Sequence, residues 1–347
     1  MSIERTLLAP GHAISRLIRG GWQLAGDHGP VDRASLNDGF LAGYDAGITT
    51  LDCADIYTGV EAMIGDFRRH LAQTRGAEAL ARLKVHTKFV PDLDGLAHLS
   101  FADVEAIIDR SRARLGMERL DLVQFHWWDY GLGDPVAALH HLARLRADGR
   151  IAHIAGTNFD AAHLAQFAAA GVPLASIQVQ YSLLDRRPAG AFAATAAASG
   201  TGLLCYGTLA GGFLSARWLG QPDPAAILTN RSLIKYRLII DECGGWDAFQ
   251  GLLETLGAIA ASHDVPLSAV AARWVLDQPQ VAAIIIGARD ASHLADTLAI
   301  ATVRLSPADH ARIAAALPAG PQGDVYALER DRTGRHGRIM KYGLNKG

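Results

Sequence analysis

Short apolar runs recur along the chain and alternate with longer segments in which apolar residues return at helical spacing. The short runs are typical of strands and end near residues 22, 52, 88, 126, 156, 180, 206 and 286. Every interval between them except the last suits one strand–helix unit of about 30 residues. Eight such units in alternation predict a closed α/β barrel of parallel strands. An open doubly wound sheet is the alternative, but Gly20-Gly21 after the first strand lacks the spacing of its glycine-rich loop.

The helical segments are marked by apolar spacing and by residues that start or stop a helix. Ser100 and Asp103 form an N-terminal capping pattern, and Gly116 is placed to end the helix that follows. Pro135 opens another helix, which Gly149 stops. Further helices are predicted over residues 33–46, 61–71, 161–170, 189–198, 247–262, 266–277 and 291–301.

Two stretches fall outside this alternation. Segment 211–246, in the long last interval, contains Pro222-Asp223-Pro224, which excludes regular structure at that point. The segment is nevertheless apolar enough to need a surface to cover, so we expect a lid over the carboxyl end of the barrel. The sequence thus predicts one barrel domain over residues 1–320 and a basic tail over 321–347. The tail is either solvated or a strap across the barrel mouth.

Composition and charge exclude several classes of protein. The 347 residues carry a formal net charge of −2, so no general basic field attracts nucleic acid. Three scattered cysteines are too few for a disulfide framework or a zinc site. No apolar run approaches the ~20 residues of a membrane span, and the first residues lack a signal-peptide pattern. We therefore expect a cytoplasmic protein without metal, nucleic-acid or membrane partners, of unknown oligomeric state.

Four polar side chains lie at the ends of consecutive predicted strands. Asp52, Lys88 and His126 close the second, third and fourth strands, and Tyr57 follows Asp52 in the next loop. Because such strand ends meet on one face of a barrel, these side chains should gather there. A tyrosine donates a proton readily only if its pKa, near ~10 in water, is lowered, as by a lysine that a carboxylate holds. Singly, each residue is as well explained by an ion pair or by packing; together they indicate an active site.

This set of Asp52, Tyr57, Lys88 and His126 resembles the catalytic tetrad of the aldo-keto reductases. The run Leu51–Tyr57 is similar to one of that family's most specific motifs, and the resemblance covers most of the chain. It implies a (β/α)8 TIM barrel that reversibly reduces an aldehyde or ketone with hydride from a nicotinamide. It further implies that Tyr57 gives the proton, Lys88 lowers the pKa of Tyr57, Asp52 holds Lys88, and His126 orients the carbonyl.

The resemblance also implies a cofactor site. Its matching residues are Asp52, Thr157, Asn158 and Gln178 at the nicotinamide, Tyr206 stacked on its ring, Gly207, Leu209 and Gly211 at the pyrophosphate, and Gly287, Arg289, His293 and Thr297 at the adenosine end. Arg289 would supply charge to a 2′-phosphate, so we expect NADP(H) to be preferred and NAD(H) to be possible. If the basic tail is a strap, the phosphates of this cofactor would draw it across the barrel mouth. His293 and Thr297 depart from the residues common in the family at those places, which leaves the cofactor choice open.

Aromatic residues near the strand ends predict a pocket for an apolar or aromatic carbonyl, or for a sugar face. The residues of this substrate pocket are Trp22, Tyr57, His126, Trp127 and Trp246. Two alternatives use the same barrel: a nucleotide-binding regulatory subunit with little turnover, and an NAD-dependent sugar or alcohol dehydrogenase. A metal-dependent hydrolase is disfavoured, because no His-x-His ends an early strand. His86 shares its strand face with Lys88 and is interpreted as part of a polar layer inside the barrel.

Overall fold

The computed structural model describes residues 3–25, 33–288 and 290–345. Eight parallel strands form a closed barrel in the order β10-β3-β4-β5-β6-β7-β8-β9. These strands are β3 (Leu17–Gly20), β4 (Thr50–Asp52), β5 (Lys84–Phe89), β6 (Leu120–Phe125), β7 (Ile151–Thr157), β8 (Ser176–Gln180), β9 (Gly202–Tyr206) and β10 (Val281–Gly287). The predicted barrel is therefore confirmed, and the strand ends lie within a few residues of their predicted places.

An antiparallel hairpin that the sequence did not predict precedes the barrel. It consists of β1 (Arg5–Ala9) and β2 (His12–Ser15). The Ser15 amide donates to the hydroxyl of Thr50, the first residue of β4. The next residue, Arg16, forms hydrogen bonds with residues near the start of β10. The hairpin therefore closes the amino-terminal end of the barrel, opposite the strand ends that carry the candidate chemistry.

Helices surround the barrel and bury their apolar faces against its strands. They are α1 (Arg33–Asp45), α2 (Val60–Arg82), α3 (Phe101–Leu115), α4 (Pro135–Ala147), α5 (Ala161–Ala169), α6 (Ala191–Ala198), α7 (Arg231–Glu242), α8 (Gly245–His263), α9 (Leu267–Leu276), α10 (Leu294–Thr302), α11 (Pro307–Ala316) and the short α12 (Ala327–Arg330). The Ser100–Asp103 capping box and the left-handed Gly116 bound α3 as predicted. No helix in the described ranges has the length and apolarity needed to cross a membrane.

Segment 211–246 folds as short 3₁₀ turns followed by α7. Pro222-Asp223-Pro224 has no regular structure, as predicted. Phe213, Ile239 and Ile240 are fully buried, so the apolar side of the segment packs on the barrel. A second cover, the C-terminal strap of residues 324–345, reaches the loop after β5, where the Leu93 amide donates to the Tyr342 carbonyl at 2.9 Å. The carboxyl end of the barrel is thus overlain by two segments of the chain.

Candidate active site

The centre of the candidate site is a buried ion pair between two barrel strands. Asp52 is the last residue of β4, and its Oδ2 lies 2.7 Å from Nζ of Lys88 in β5. The Lys88 ammonium also donates to the Cys53 carbonyl at 2.9 Å. Burial lowers the pKa of Lys88, but the adjacent Asp52 carboxylate outweighs it and raises the pKa above its usual value. Lys88 is therefore a fixed cation.

Tyr57 lies beside this cation. The Lys88 ammonium is 4.8 Å from the centroid of the Tyr57 ring, and the Trp22 ring meets Tyr57 edge-on at 5.0 Å. Burial raises the pKa of Tyr57, while the charge of Lys88 acts to lower it. The net direction is upward, because the effect of burial on the pKa is the larger one. Lys88 nevertheless acts in the predicted direction, by opposing the effect of burial.

Two amide side chains hold the other oxygen of Asp52. Gln124 and Gln178 each donate from Nε2 to Asp52 Oδ1 at 2.7 Å, and Gln178 also donates to Gln124 Oε1. With Lys88 on Oδ2, the Asp52 carboxylate is fully hydrogen-bonded and fixed in place. Sequence reasoning missed Gln124, although strand alternation from His126 places it on the inward face of β6.

His126, one residue beyond the end of β6, is neutral. Burial lowers its pKa to about 3. Its Nδ1 lies 3.1 Å from the Thr157 carbonyl, and because a carbonyl only accepts, Nδ1 carries the proton. The other nitrogen, Nε2, is then an acceptor. It is buried and has no hydrogen-bond partner among the described residues, which leaves it available to a bound hydroxyl group.

The residues predicted for the nicotinamide side form a connected group. Asn158 adopts a left-handed conformation with φ of 62°, and its side-chain oxygen accepts from the Tyr206 hydroxyl at 3.1 Å. The Asn158 amide donates to the Gln178 carbonyl at 2.9 Å, which links the ends of β7 and β8. Lys235 of α7 places its ammonium 5.1 Å from the centroid of the Tyr206 ring. Segment 211–246 therefore lies against Tyr206, whose stacking on a nicotinamide ring stays a prediction.

Among the residues predicted to meet a pyrophosphate, two glycines accommodate α7. Gly207 and Gly211 have φ of 68° and 66°, and a Cβ on either would lie 2.6 Å from Tyr236. Both positions need glycine for backbone conformation and for the close approach of that ring. Leu209 lies between them at the start of a 3₁₀ turn.

At the adenosine end, the structure places three of the four predicted residues. Gly287 ends β10 against Gln23, His293 is exposed beside Asp296, and the Thr297 hydroxyl donates to the His293 carbonyl at 3.0 Å. Arg289 lies outside the described residues, so its predicted role stays a prediction.

Four of the tryptophans bear on the predicted substrate pocket, and each has different surroundings. Trp22 lies against Tyr57, as expected for a pocket residue. Trp127 is 1% exposed and donates to the Leu132 carbonyl at 3.0 Å, which places it in the packed core. Its neighbour Trp128 instead meets the His126 ring edge-on at 4.3 Å. Trp246 packs within the hydrophobic layer of segment 211–246, where its ring neighbours are Phe213, Trp218 and Phe249.

The C-terminal strap crosses the mouth on the His126 side. Tyr326 faces the His126 ring at 5.7 Å. Arg330 donates to the Trp127 carbonyl at 2.9 Å and to the Asn158 carbonyl at 2.7 Å. The described part of the tail thus lies across the barrel mouth, as the strap interpretation expects, and Arg330 is held by protein carbonyls. The expected attraction of the tail to cofactor phosphates stays a prediction. Sequence reasoning singled out neither Tyr326 nor Arg330 as a site residue.

The described residues contain no group of three or more His, Cys, Asp or Glu side chains suited to a metal ion. All three cysteines are buried and free.

Comparison with known proteins agrees with this geometry. A family model described as Aldo/keto reductase family matches residues 16–318. Flagellar radial spoke protein 5 of Chlamydomonas reinhardtii is 32% identical over 65% of this chain, but the chain spans only about half of that relative, 49%. NADH-specific methylglyoxal reductase of Escherichia coli (strain K12) is 23% identical over 85% of this chain and 92% of its own length. D-threo-aldose 1-dehydrogenase of a Pseudomonas species is 26% identical over 53% of this chain and 52% of its own. The chain belongs to the aldo/keto reductase family.

Proposed function

We propose that this protein interconverts a small carbonyl compound and its alcohol with a nicotinamide cofactor, using Tyr57 as the proton donor. The observation that carries the proposal is the buried Asp52–Lys88 pair beside Tyr57. A fixed cation next to a phenol stabilises the phenolate that proton donation leaves behind. An ion pair that served stability alone would not explain why a tyrosine hydroxyl lies at the same point of the barrel mouth.

In this mechanism each side chain has its own role. Tyr57 hydrogen-bonds the carbonyl oxygen and transfers its proton as that oxygen gains charge. Lys88 stabilises the resulting tyrosinate until solvent reprotonates it, and Asp52 keeps Lys88 oriented. The cofactor supplies the hydride that the carbonyl carbon receives.

The residues around Tyr206 fit a nicotinamide. Gln178 Oε1 can accept from a carboxamide N–H, because the Gln178 amide nitrogen is already occupied by Asp52 and Gln124. Asn158 lies beside the Tyr206 ring and completes the platform. Arg289 supports NADP(H) over NAD(H), whereas one relative is named as NADH-specific. Arg289→Ala should remove the preference for NADPH in a fluorescence titration, and an unchanged preference would contradict this role.

His126 refines the choice of substrate. The sequence analysis expected His126 to orient the carbonyl. Since its Nε2 accepts, His126 would do so by accepting a hydrogen bond from a hydroxyl of the substrate. That hydroxyl belongs to the alcohol or to a carbon next to the reacting centre. This observation favours hydroxylated substrates and keeps a sugar or alcohol dehydrogenase as the second candidate, a function that also appears in the name of a relative.

The test is a steady-state assay with paired aldehydes, with and without a hydroxyl next to the carbonyl, and with simple alcohols and aldoses, using both cofactors. We expect turnover in both directions and a lower KM for the hydroxylated member of each pair. Absence of turnover with any substrate, combined with tight dinucleotide binding, would instead support a regulatory subunit.

Tyr57→Phe isolates the proton donor. General acid catalysis contributes roughly 10²–10⁴-fold, so kcat should fall by about that factor while dinucleotide affinity is retained. Tyr44→Phe is the control, because the Tyr44 hydroxyl donates to the Ala79 carbonyl between α1 and α2, away from the candidate site. Near-normal turnover by Tyr57→Phe would remove Tyr57 from the mechanism.

A further inference from the structure

One residue of the strap reaches the two loops that follow the strands of the ion pair. The Asn345 side chain donates from Nδ2 to Asp55 Oδ2 at 2.9 Å and to the Val90 carbonyl. Asp55 lies in the loop after β4, two residues before Tyr57. Val90 lies directly after β5, two residues beyond Lys88. Asn345 therefore bridges the loop that carries the tyrosine and the strand that carries the lysine.

Asp55 is the buried half of this bridge, with 4% of its surface exposed. Its Oδ1 accepts from the Ile56 amide and its Oδ2 from the Val90 amide, both at 3.0 Å. Burial raises the pKa of Asp55 to about 7, and the hydrogen bonds from Asn345 and Val90 act in the opposite direction. Because an ionised carboxylate accepts at both oxygens, these N–H groups together hold the loop of Tyr57 against the end of β5.

Asn345 is itself held on its other sides. Its backbone amide donates to Asp92 Oδ1 at 2.9 Å, and the Leu344 amide donates to the same oxygen at 2.8 Å. Arg110 of α3 donates from Nη2 to Asn345 Oδ1. Since the oxygen of the side-chain amide only accepts and its nitrogen only donates, Arg110 orients the group with Nδ2 toward Asp55.

Two further charged groups face Asp55 from the neighbouring helices. Glu61 of α2 acts to raise the pKa of Asp55. Arg114 of α3 donates to the Asp55 backbone carbonyl at 3.2 Å, and its guanidinium lies 3.5 Å from the Glu61 carboxylate. The charge of Arg114 thus acts on Glu61, while N–H donors, with Asn345 among them, stabilise the ionised side chain of Asp55.

We propose that Asn345 and Asp55 are positioning residues that hold the Tyr57 hydroxyl where its proton is transferred. The inference rests on the proposed function, since it takes Tyr57 as the proton donor. The Tyr57 amide donates to the Ala54 carbonyl at 3.1 Å, so Tyr57 shares one tight turn with Asp55 and moves with it. A displacement of about 1 Å can reduce a catalysed rate by about 10²-fold, so the bridge acts on kcat.

The experiment compares wild type with Asn345→Leu and Asn345→Asp between about pH 6 and pH 9. It measures kcat and KM with the aldehyde that gives the highest turnover in the assay above, together with dinucleotide affinity and melting temperature. Leucine is close to asparagine in size but cannot donate. We therefore expect Asn345→Leu to lower kcat by about 10-fold or more, with little change in KM or in dinucleotide affinity.

Asn345→Asp adds a readout that a purely structural role would not move. It places a second carboxylate against that of Asp55, and one of two adjacent carboxylates has a raised pKa. At high pH the two charges repel and the bridge opens; as pH falls, a shared proton restores a hydrogen bond between them. The kcat of this variant, divided by that of wild type at the same pH, should therefore recover toward low pH.

Gln280→Leu is the matched control, because the Gln280 amide joins the chain before β10 to the Thr201 carbonyl at 3.1 Å, at the opposite end of the barrel. It should lower the melting temperature and leave kcat near that of wild type. Unchanged kcat in Asn345→Leu, or an equal loss in Gln280→Leu, would overturn the proposal. If Asn345→Leu does not fold, Asn345→Asp decides, and a kcat ratio independent of pH would make the bridge structural alone. Absence of turnover by wild type would contradict the proposed function, and the positioning role with it.

Discussion

Lys88 and burial act on Tyr57 in opposite directions, and this opposition sets the pH at which the phenolate forms. Burial raises the pKa of Tyr57, and the ammonium 4.8 Å from its ring lowers it. Lys88→Met keeps the burial and removes the cation, so the pKa of Tyr57 should rise further. Because alcohol oxidation requires the phenolate, the rising limb of its pH–rate profile should move to higher pH.

The control for this change is Lys84→Met at the start of the same strand, where the ammonium bonds the Ala81 carbonyl. Its profile should match that of wild type. An unmoved profile with retained activity in Lys88→Met would show that Lys88 is structural alone.

Single residues were predictable where chemistry and strand position coincide. Asp52, Lys88 and His126 are polar groups at the ends of apolar runs, so their convergence follows from the parallel barrel. Gln124 was not found, because a glutamine inside a strand has many explanations until its partner is known. Whether Trp127 or Trp128 lies beside His126 depends on the path of the chain after the end of β6. There the alternation of side chains between the two faces of a strand no longer applies.

At the scale of elements, segment 211–246 connects the cofactor platform to the strap. Lys235 of α7 covers Tyr206, and its ammonium lies 3.9 Å from Glu329 in the strap. Glu329 is in turn paired with the buried Arg187 at 3.2 Å. A dinucleotide that stacks on Tyr206 therefore contacts a segment already linked to the other cover of the mouth.

We expect hydrogen exchange in segment 211–246 to slow when NADPH or NADH is added. The physical reason is that a bound dinucleotide gives the polar side of α7 a second surface to contact, which raises the free energy of local opening. Helix α4, on the outside of the barrel, should exchange equally in both states. Equal exchange in 211–246 with and without dinucleotide would show a permanently packed insertion rather than a lid.

The strap offers a separate test through Arg330. Its guanidinium joins carbonyls after β6 and β7, and charged hydrogen bonds contribute about 1.5–3 kcal/mol each. Arg330→Ala should free the strap from the His126 side and raise KM for the carbonyl substrate by about 10-fold, with a smaller change in dinucleotide affinity. Arg332→Ala removes an exposed ion pair to Asp129 and should leave KM near that of wild type. Equal KM values for both variants would contradict a role of the strap in the pocket.

Elements were predictable where the periodic pattern is long. Helix α3 has a capping box, a stripe of apolar residues and a terminal glycine, and these signals predicted where it begins and ends. The hairpin β1–β2 was missed because two short strands do not stand out in a single sequence before they pair. Helix α2 was predicted to stop near residue 71 but continues to Arg82, with a break at Gly76, because the alanine-rich stretch is helical. Packing against the barrel, which the sequence does not display, decides such cases.

At the scale of the molecule, the candidate site and the hairpin that closes the barrel lie at opposite ends of the barrel. The carboxyl end carries the candidate site, while the hairpin at the other end inserts His12 against the interior polar layer, where His12 Nε2 lies 2.9 Å from His86 Nε2. The His153 ring lies 5.0 Å from that of His12. Burial, the largest cause, lowers the pKa of His12 to about 2 and of His86 to about 3, and it lowers the pKa of His153 as well. All three side chains are therefore neutral in the folded protein and protonate readily once it unfolds.

This difference makes the fold sensitive to acid. Each group contributes its full stability above the unfolded pKa near ~6.5 and loses it as pH falls toward the folded value. At pH 5, His12 and His86 should each reduce the free energy of unfolding by about 2 kcal/mol relative to pH 7. Asp55 acts in the opposite direction, because burial raises its pKa to about 7. The total change in the free energy of unfolding with pH therefore does not isolate the effect of the histidines.

The test therefore compares urea unfolding of wild type with His12→Gln, His86→Gln and the double variant at pH 7 and pH 5. Glutamine does not titrate, so each replacement should remove part of the acid-dependent loss, and the double variant should show the shallowest dependence. Asp55 and the buried His126 stay the same in every variant and cancel in the comparison. If the double variant does not fold, the two single variants still carry the test. Parallel curves for wild type and all variants would show that the histidine cluster at the hairpin does not set the acid stability of the barrel.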